Sequence, residues 1–252
     1  MRSASLLPLL PVALQLRLAT ATYSPLYEYS GTTFFDKWDY YGNTDNETWG
    51  NVTFVAAVNF TKLTYTNAAD NAILKVDNET TIAAAPLVYR DSVRITSKDA
   101  YPIGSVIVAD FLHMPYGCGP PFGCWVQTSP GQMPEKLTSI NLGQFNQMSL
   151  HTTDGCQQAN NTGQVGTTTV GNCLDIAGTN INSSTSTPSL DLTDWGAPNA
   201  AYPASACNIT RFFQPQQLVF DITVCGAWAG VPNIYAETCP GSCVRALALL
   251  SR

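Results

Sequence analysis

The stretch QLVFDITVCGAW, residues 217–228, alternates with a period of two. Leu218, Phe220, Ile222 and Val224 fall on one side, and Asp221 and Thr223 on the other. Successive side chains of a β-strand point to opposite faces, so the run predicts a strand with its apolar side on a core. DSVRITSKD, residues 91–99, repeats the pattern, with Val93 and Ile95 inward and Arg94 and Thr96 outward. GSVIVADFLHM (104–114) and NQMSLHTT (146–153) read the same way. Turn-forming clusters such as NAADNA, KDAYPIG and AGVPN punctuate the runs, and no segment sustains a helical period. Closely spaced strands without helices predict an all-β sandwich.

The remaining composition narrows the classes further. The chain has 252 residues, with 45% apolar, only 12% charged and a net charge of −6. That balance excludes a phosphate-backbone partner, so no nucleic acid is expected. Arg2, the apolar run Leu6 to Leu16 and the Ala19-Thr20-Ala21 triplet form a signal peptide over residues 1–21. The run is too short to span a membrane. Eight cysteines (118, 124, 156, 173, 207, 225, 239 and 243) allow up to four disulfides in an oxidising compartment. Cys239 and Cys243 have no second ligand pair and the two histidines lie far off, so neither a metal nor another cofactor is expected. Sequons stand at Asn46, Asn51, Asn59, Asn78, Asn160, Asn182 and Asn208. Together with the signal they predict a glycoprotein that is extracellular or associated with a cell wall. No repeat or linker divides the chain, and residues 177–189 are low in complexity and read as a loop.

Four blocks in order carry a resemblance. They are YSGTTFFDKWDYYGNTDNETWGNVTFV (29–55), RDSVRITSKDAYPIGSVIVADFLHMPYGCG (90–119), FNQMSLHTTDGC (145–156) and RFFQPQQLVFDITVCGAWAGVPNIYAETCPGSC (211–243). Together they resemble the fungal laminarinase-type members of glycoside hydrolase family 16. The resemblance implies one domain over 22–243, a jelly-roll β-sandwich of two curved antiparallel sheets. Its concave sheet would hold a β-glucan chain. The implied activity is retaining endo-hydrolysis of β-1,3 or mixed β-1,3/1,4 glucans by a monomer.

Such chemistry needs a carboxylate nucleophile and a carboxylic acid about 5 Å apart. The family places them as E-x-D-x-x-E on the strand before the equivalent of NQMSLHTT. Here that place is held by GQMPEKLTSIN, residues 131–141. Counted back from Asn146, the three acids fall on Met133, Glu135 and Thr138. Glu135 is the only acid between Asp110 and Asp154, so it is the sole catalytic candidate and has no partner. It is a weak candidate only, and it reads first as an ordinary solvated loop residue. A further hypothesis is a shifted reading frame. Read from the third base of the Pro130 codon, permitted codons spell Trp-Pro-Asn-Ala-Gly-Glu-Ile-Asp-Ile, and the family runs W-P-x-x-G-E-I-D. A transcript encoding residues 119–141 as they stand would exclude this.

Other departures accompany it. The end VRALALLSR, residues 244–252, reads as an aberrant tail, with Val-Arg permitting an intron donor. A core strand of the family between Cys173 and Cys207 has no counterpart, so the sandwich is expected to be incomplete and to expose apolar edges. Cys124 falls where the family has no cysteine and one family cysteine is lost with the missing stretch, which predicts at least one unpaired or mispaired thiol. Ala227 stands where the family usually has Asp.

Residues that could still meet a glucan are Trp125, His151, Asn146 and Arg90. Trp125 either stacks on a sugar ring or fills the core. His151 either binds a hydroxyl or is a plain strand residue. Trp38 and Trp49 are assigned to core or rim. The resulting expectation is a β-glucanase homologue, catalytically inactive as its sequence stands. The alternative is a noncatalytic glucan-binding or wall-associated glycoprotein.

Overall fold

The computed structural model describes residues 25–56, 62–82, 89–115, 122–128, 136–141, 146–152, 155–157, 164, 176–177, 196–198, 200–202, 204–227 and 230–249. Eleven strands are found among them. They are β1 (Trp38–Tyr40), β2 (Val52–Phe54), β3 (Thr64–Thr66), β4 (Ala72–Leu74), β5 (Arg90–Ser92), β6 (Arg94–Tyr101), β7 (Phe122–Thr128), β8 (Lys136–Asn141), β9 (Asn146–His151), β10 (Ile176–Ala177) and β11 (Gln216–Ile222). Seven form one sheet in the order β1-β6-β11-β7-β8-β9-β10, antiparallel throughout. β2 pairs with β5 in parallel, and β3 with β4 antiparallel.

The strand that the alternating stretch predicted is β11, and it lies inside the large sheet between β6 and β7. Its apolar side does meet the core. Leu218, Phe220 and Ile222 pack with Trp38, Val93 and Ile95. Trp38 lies 5.2 Å from Phe220, ring to ring, and stacks on Phe34 from a 3₁₀ segment over Gly31–Lys37. Each such buried side chain contributes roughly 1.5–3 kcal/mol. The polar side of β11 is buried too, with Asp221 at 1% exposure. Arg94, read as outward, is likewise buried, because its guanidinium pairs with Glu47 at 2.6 Å and lies 4.9 Å over the Tyr41 ring.

GSVIVADFLHM forms no strand. Residues 105–111 have no regular structure, and Val106, Ile107, Val108, Phe111 and Leu112 are exposed. Alternation supplies propensity, but a strand also needs a ladder partner, and none pairs with this run among the described residues. The NAADNA turn does form, with Asn67 Oδ1 accepting from the amides of Ala69 and Asn71, and Asp70 at φ 58°.

Three short helices run against the all-strand expectation: α1 (Ile209–Phe212), α2 (Pro232–Thr238) and α3 (Cys243–Leu249). Asn208 caps α1 by accepting from the Arg211 amide at 3.2 Å, and Pro232 opens α2, where a missing N–H costs nothing. α3 corrects the boundary drawn at 243. Leu247 has no exposed surface and packs with Val52, Phe54, Val224 and Tyr235. The segment read as an aberrant tail is therefore part of the fold through Leu249. The disulfide Cys225–Cys243 joins the end of the β11 run to the start of α3. A second, Cys156–Cys207, lies in a third cluster with Leu150 and Phe212, and Cys239 is also disulfide-bonded. Residues 1–21, Glu135, Cys118 and Cys173, most of 177–189 and the Cys124 thiol lie outside what is described.

Candidate functional site

β8 occupies the position that the resemblance gives to the chemistry, between β7 and β9. Residues directly opposite in an antiparallel ladder share a face. One row across six strands runs Asp39, Thr96, Val219, Trp125, Thr138, Ser149. The adjacent row on that face runs Gln127, Lys136, His151. The row beyond on the other side runs Arg94, Asp221, Gly123, Ile140, Gln147. The opposite face carries Tyr40, Ile95, Phe220, Cys124, Ser139 and Met148, and Ile95 and Phe220 identify it as the core face.

These rows sort the residues picked from the sequence. The Trp125 and His151 positions share one face with Thr138, the place the count gave to the third acid. His151 is half-buried. Asn146 pairs with Asn141 and by register falls on the side of β9 opposite His151, with the position of the buried Leu150. Arg90 is not at this face. Its side chain is fully buried, and it donates to the carbonyls of Asp77 (2.8 Å), Thr80 (3.0 Å) and Leu247 (2.9 Å). A glucan on the surface has no access to it, so its work in this structure is to tie β5 to α3. Glu135 precedes β8 by one residue, outside the described set.

The six residues of β8, KLTSIN, carry no carboxylate. Acids do gather at the Arg94 end of the same face, but they are committed to structure. The Asp45 carboxylate accepts from the amides of Glu47 (3.0 Å), Thr48 (2.9 Å) and Gly50 (3.1 Å), and from the hydroxyls of Thr48 and Thr223. Burial opposes its ionisation, but the hydroxyl and amide hydrogen bonds outweigh burial and hold the carboxyl below its usual value. A Cβ at Gly50 would overlap the Thr223 hydroxyl and reach within 2.9 Å of Asp45 Oδ2, so only glycine fits there. Glu47 spends its charge on Arg94. The loop over 45–50 is thus fastened across one end of the face. Asp45 anchors this end of the face and is a residue that sequence reasoning missed. Its one signal is the polar, turn-prone run NTDNETWGN around it.

Among those sequons, Asn46, Asn78 and Asn208 are exposed and Asn51 is half-buried. Asn51 is also held through its backbone, to the Val224 carbonyl and the Arg90 amide. Asn59, Asn160 and Asn182 lie outside the described residues.

Comparison with known proteins bears on the family and the fold. Residues 38–189 and 174–249 match the family described as "XgeA-like, catalytic GH16 domain". A probable glycosidase of Schizosaccharomyces pombe is 30% identical over 88% of this chain and 64% of its own length. A probable endo-1,3(4)-β-glucanase of Aspergillus fumigatus is 29% identical over 88% of this chain and 40% of its own. The chain therefore spans less than two thirds of these relatives. The structure of laminarinase 16A from Phanerochaete chrysosporium, with β-glucans in its donor and acceptor sites, superposes with a TM-score of 0.73. An elongating family 16 β-1,3-glucosyltransferase gives 0.75. Both are 24% identical and cover 88% of this chain and 92% of theirs. The shared fold is a jelly-roll β-sandwich.

Proposed function

We infer function from one premise: this chain belongs to glycoside hydrolase family 16, among its XgeA-like catalytic domains. On that premise it is a secreted β-glucanase homologue, extracellular or wall-associated. It holds a β-1,3 or mixed β-1,3/1,4 glucan along the Trp125–Thr138–His151 face and does not cleave it. The observation that carries this reading is β8 itself. It has the strand position between β7 and β9, and no carboxylate among its six residues. Retaining hydrolysis needs two carboxyl groups about 5 Å apart. Lys136 adds a cationic residue at the His151 row, next to where an oxocarbenium-like transition state would itself be positive.

A second reading, a protein selected for binding alone, is favoured by the seven sequons and by a face that keeps the Trp125 and His151 positions beside a β8 with no acid. One paired measurement separates activity from binding. Reducing-sugar release from laminarin is compared between this chain and a version carrying Trp-Pro-Asn-Ala-Gly-Glu-Ile-Asp-Ile over 131–139 together with Asn141→Glu, which completes the E-x-D-x-x-E spacing, alongside laminarin pull-down of both. The chain as it stands is expected to release no sugar above background and to be retained on laminarin. Efficient hydrolysis by the unrestored chain would overturn the inactive reading. Failure of the unrestored chain to be retained would overturn the glucan reading.

A further inference from the structure

Trp49 is the most exposed aromatic residue of the described core domain at 72%, and its backbone sits at φ 55°. A bulky side chain in the left-handed region is strained, and such strain persists only where the surroundings impose it. Burial of the indole does not offset the cost, because little of it is buried. The imposing groups lie on both sides. The amides of Thr48 and Gly50 are bound by Asp45, and the Thr48 carbonyl accepts from the Ala227 amide at 2.6 Å. Thr48 Oγ1 also lies 3.1 Å from Thr223 Oγ1. Residues 48 and 50 are thus fixed to the end of the β11 run, and the indole is presented outward.

The loop also has a definite place. Glu47 binds Arg94, which heads the row Arg94–Asp221–Gly123–Ile140 on the same face as Trp125, Thr138 and His151. Arg94 and Thr138 are three strands and two residues apart, about 16 Å at ordinary sheet spacings. That is several sugar units of an extended polysaccharide.

We propose that Trp49 is a remote glucan-stacking subsite: its indole takes the apolar face of a glucosyl unit of a β-glucan running across this sheet face. The proposal rests on the glucan reading above and adds the length of chain that is recognised. A flat aromatic surface matches the C–H face of a pyranose, and an indole held by its backbone loses little entropy on binding.

The test uses full-length protein with its N-glycans removed, because sequons Asn46 and Asn51 flank Trp49. Affinity is measured calorimetrically for laminarin and for laminaritriose, in wild type, Trp49→Asn and Trp49→Phe. Asparagine tolerates the left-handed region, so Trp49→Asn is expected to melt at or above the wild-type temperature. It should bind laminarin about tenfold more weakly and laminaritriose unchanged, with Trp49→Phe retaining most of the affinity. Equal laminarin binding by Trp49→Asn and wild type overturns this proposal alone. So does a parallel fall in melting temperature and in affinity for both sugars, which would mark a structural role. A wild type that binds no laminarin overturns the glucan reading, and this proposal with it.

Discussion

Arg90→Met removes one charge and keeps most of the side-chain volume. In the fold the guanidinium has no exposed surface, and it serves three carbonyls 2.8–3.0 Å away, on Asp77, Thr80 and Leu247. The Asp77 carboxylate lies 3.7 Å from Nη1. The substitution strands the Leu247 carbonyl in a buried contact and takes the donor from the carbonyls of Asp77 and Thr80, which lie nearer the surface. Leaving a buried polar group without its partner costs about 1–3 kcal/mol, and removing one side of a buried ion pair about 3–5 kcal/mol. Partial relaxation keeps the total near the second figure. For a domain of this size that is a fall in melting temperature on the order of 10 °C. The loss should depend on pH. Burial disfavours the Asp77 carboxylate, while Thr80, Glu79 and the Arg90 charge favour it and leave its pKa lowered. A lowered carboxyl adds stability above its ordinary value of 3.8, and that stability fades as pH falls through the folded value. Part of it comes from Arg90, so the gap between wild type and Arg90→Met should narrow below about pH 4. Calorimetry across pH 3–7 reads the gap, and laminarin affinity below both melting points reads the ligand role. An unchanged melting temperature with lost laminarin binding would refute this reasoning and return Arg90 to the sugar.

Two further outcomes follow from the same structure. Replacing Cys225 and Cys243 by Ser opens a loop with a sequence separation of 18 and should cost about 3 kcal/mol in chemical denaturation at pH 7; no shift of the urea midpoint would mean that α3 holds its place without the bond. Asp45→Asn should lower stability by about 2 kcal/mol at pH 7 and flatten the acid limb of the stability curve. The lowered Asp45 carboxyl contributes fully above its ordinary 3.8 and loses that contribution as pH falls through its folded value. An unchanged acid limb would show that the carboxylate does not anchor the 45–50 loop.

Much of the fold was legible because burial leaves a period in the sequence. Leu218, Phe220 and Ile222 announce β11, and Leu150 in NQMSLHTT announces an inward position of β9. The other face of β11 was not legible. Asp221 and Arg94 alternate as solvent-facing residues would, yet the 45–50 loop lies over that end of the sheet and buries them. No local pattern records a cover supplied from far along the chain. GSVIVADFLHM failed for the converse reason, since its β-propensity is real but no strand pairs with it among the described residues. α3 was missed because seven residues are too few to display a helical period, and its buried Leu247 looks like any leucine of a hydrophobic tail.

The site divides similarly. Trp125 and His151 were read from the sequence, and register alone puts them on the Thr138 face. Arg90 was misjudged because a fully buried arginine and a sugar-binding one share the same letter. The carbonyl cage that distinguishes them comes from residues 77, 80 and 247. Asp45 and Trp49 carried no motif, and their roles exist only once a loop and the end of β11 meet.

The bond from Arg90 to the Leu247 carbonyl spans 157 positions of sequence. During synthesis, at about 5–20 residues per second, Arg90 would leave the ribosome roughly 8–30 seconds before its acceptor is made. Until then the guanidinium is short of one partner, and Val52 and Phe54 lack the leucine that packs on them. The segment around Arg90 therefore waits on α3 to mature, and quality control has a long interval in which to meet it unfinished.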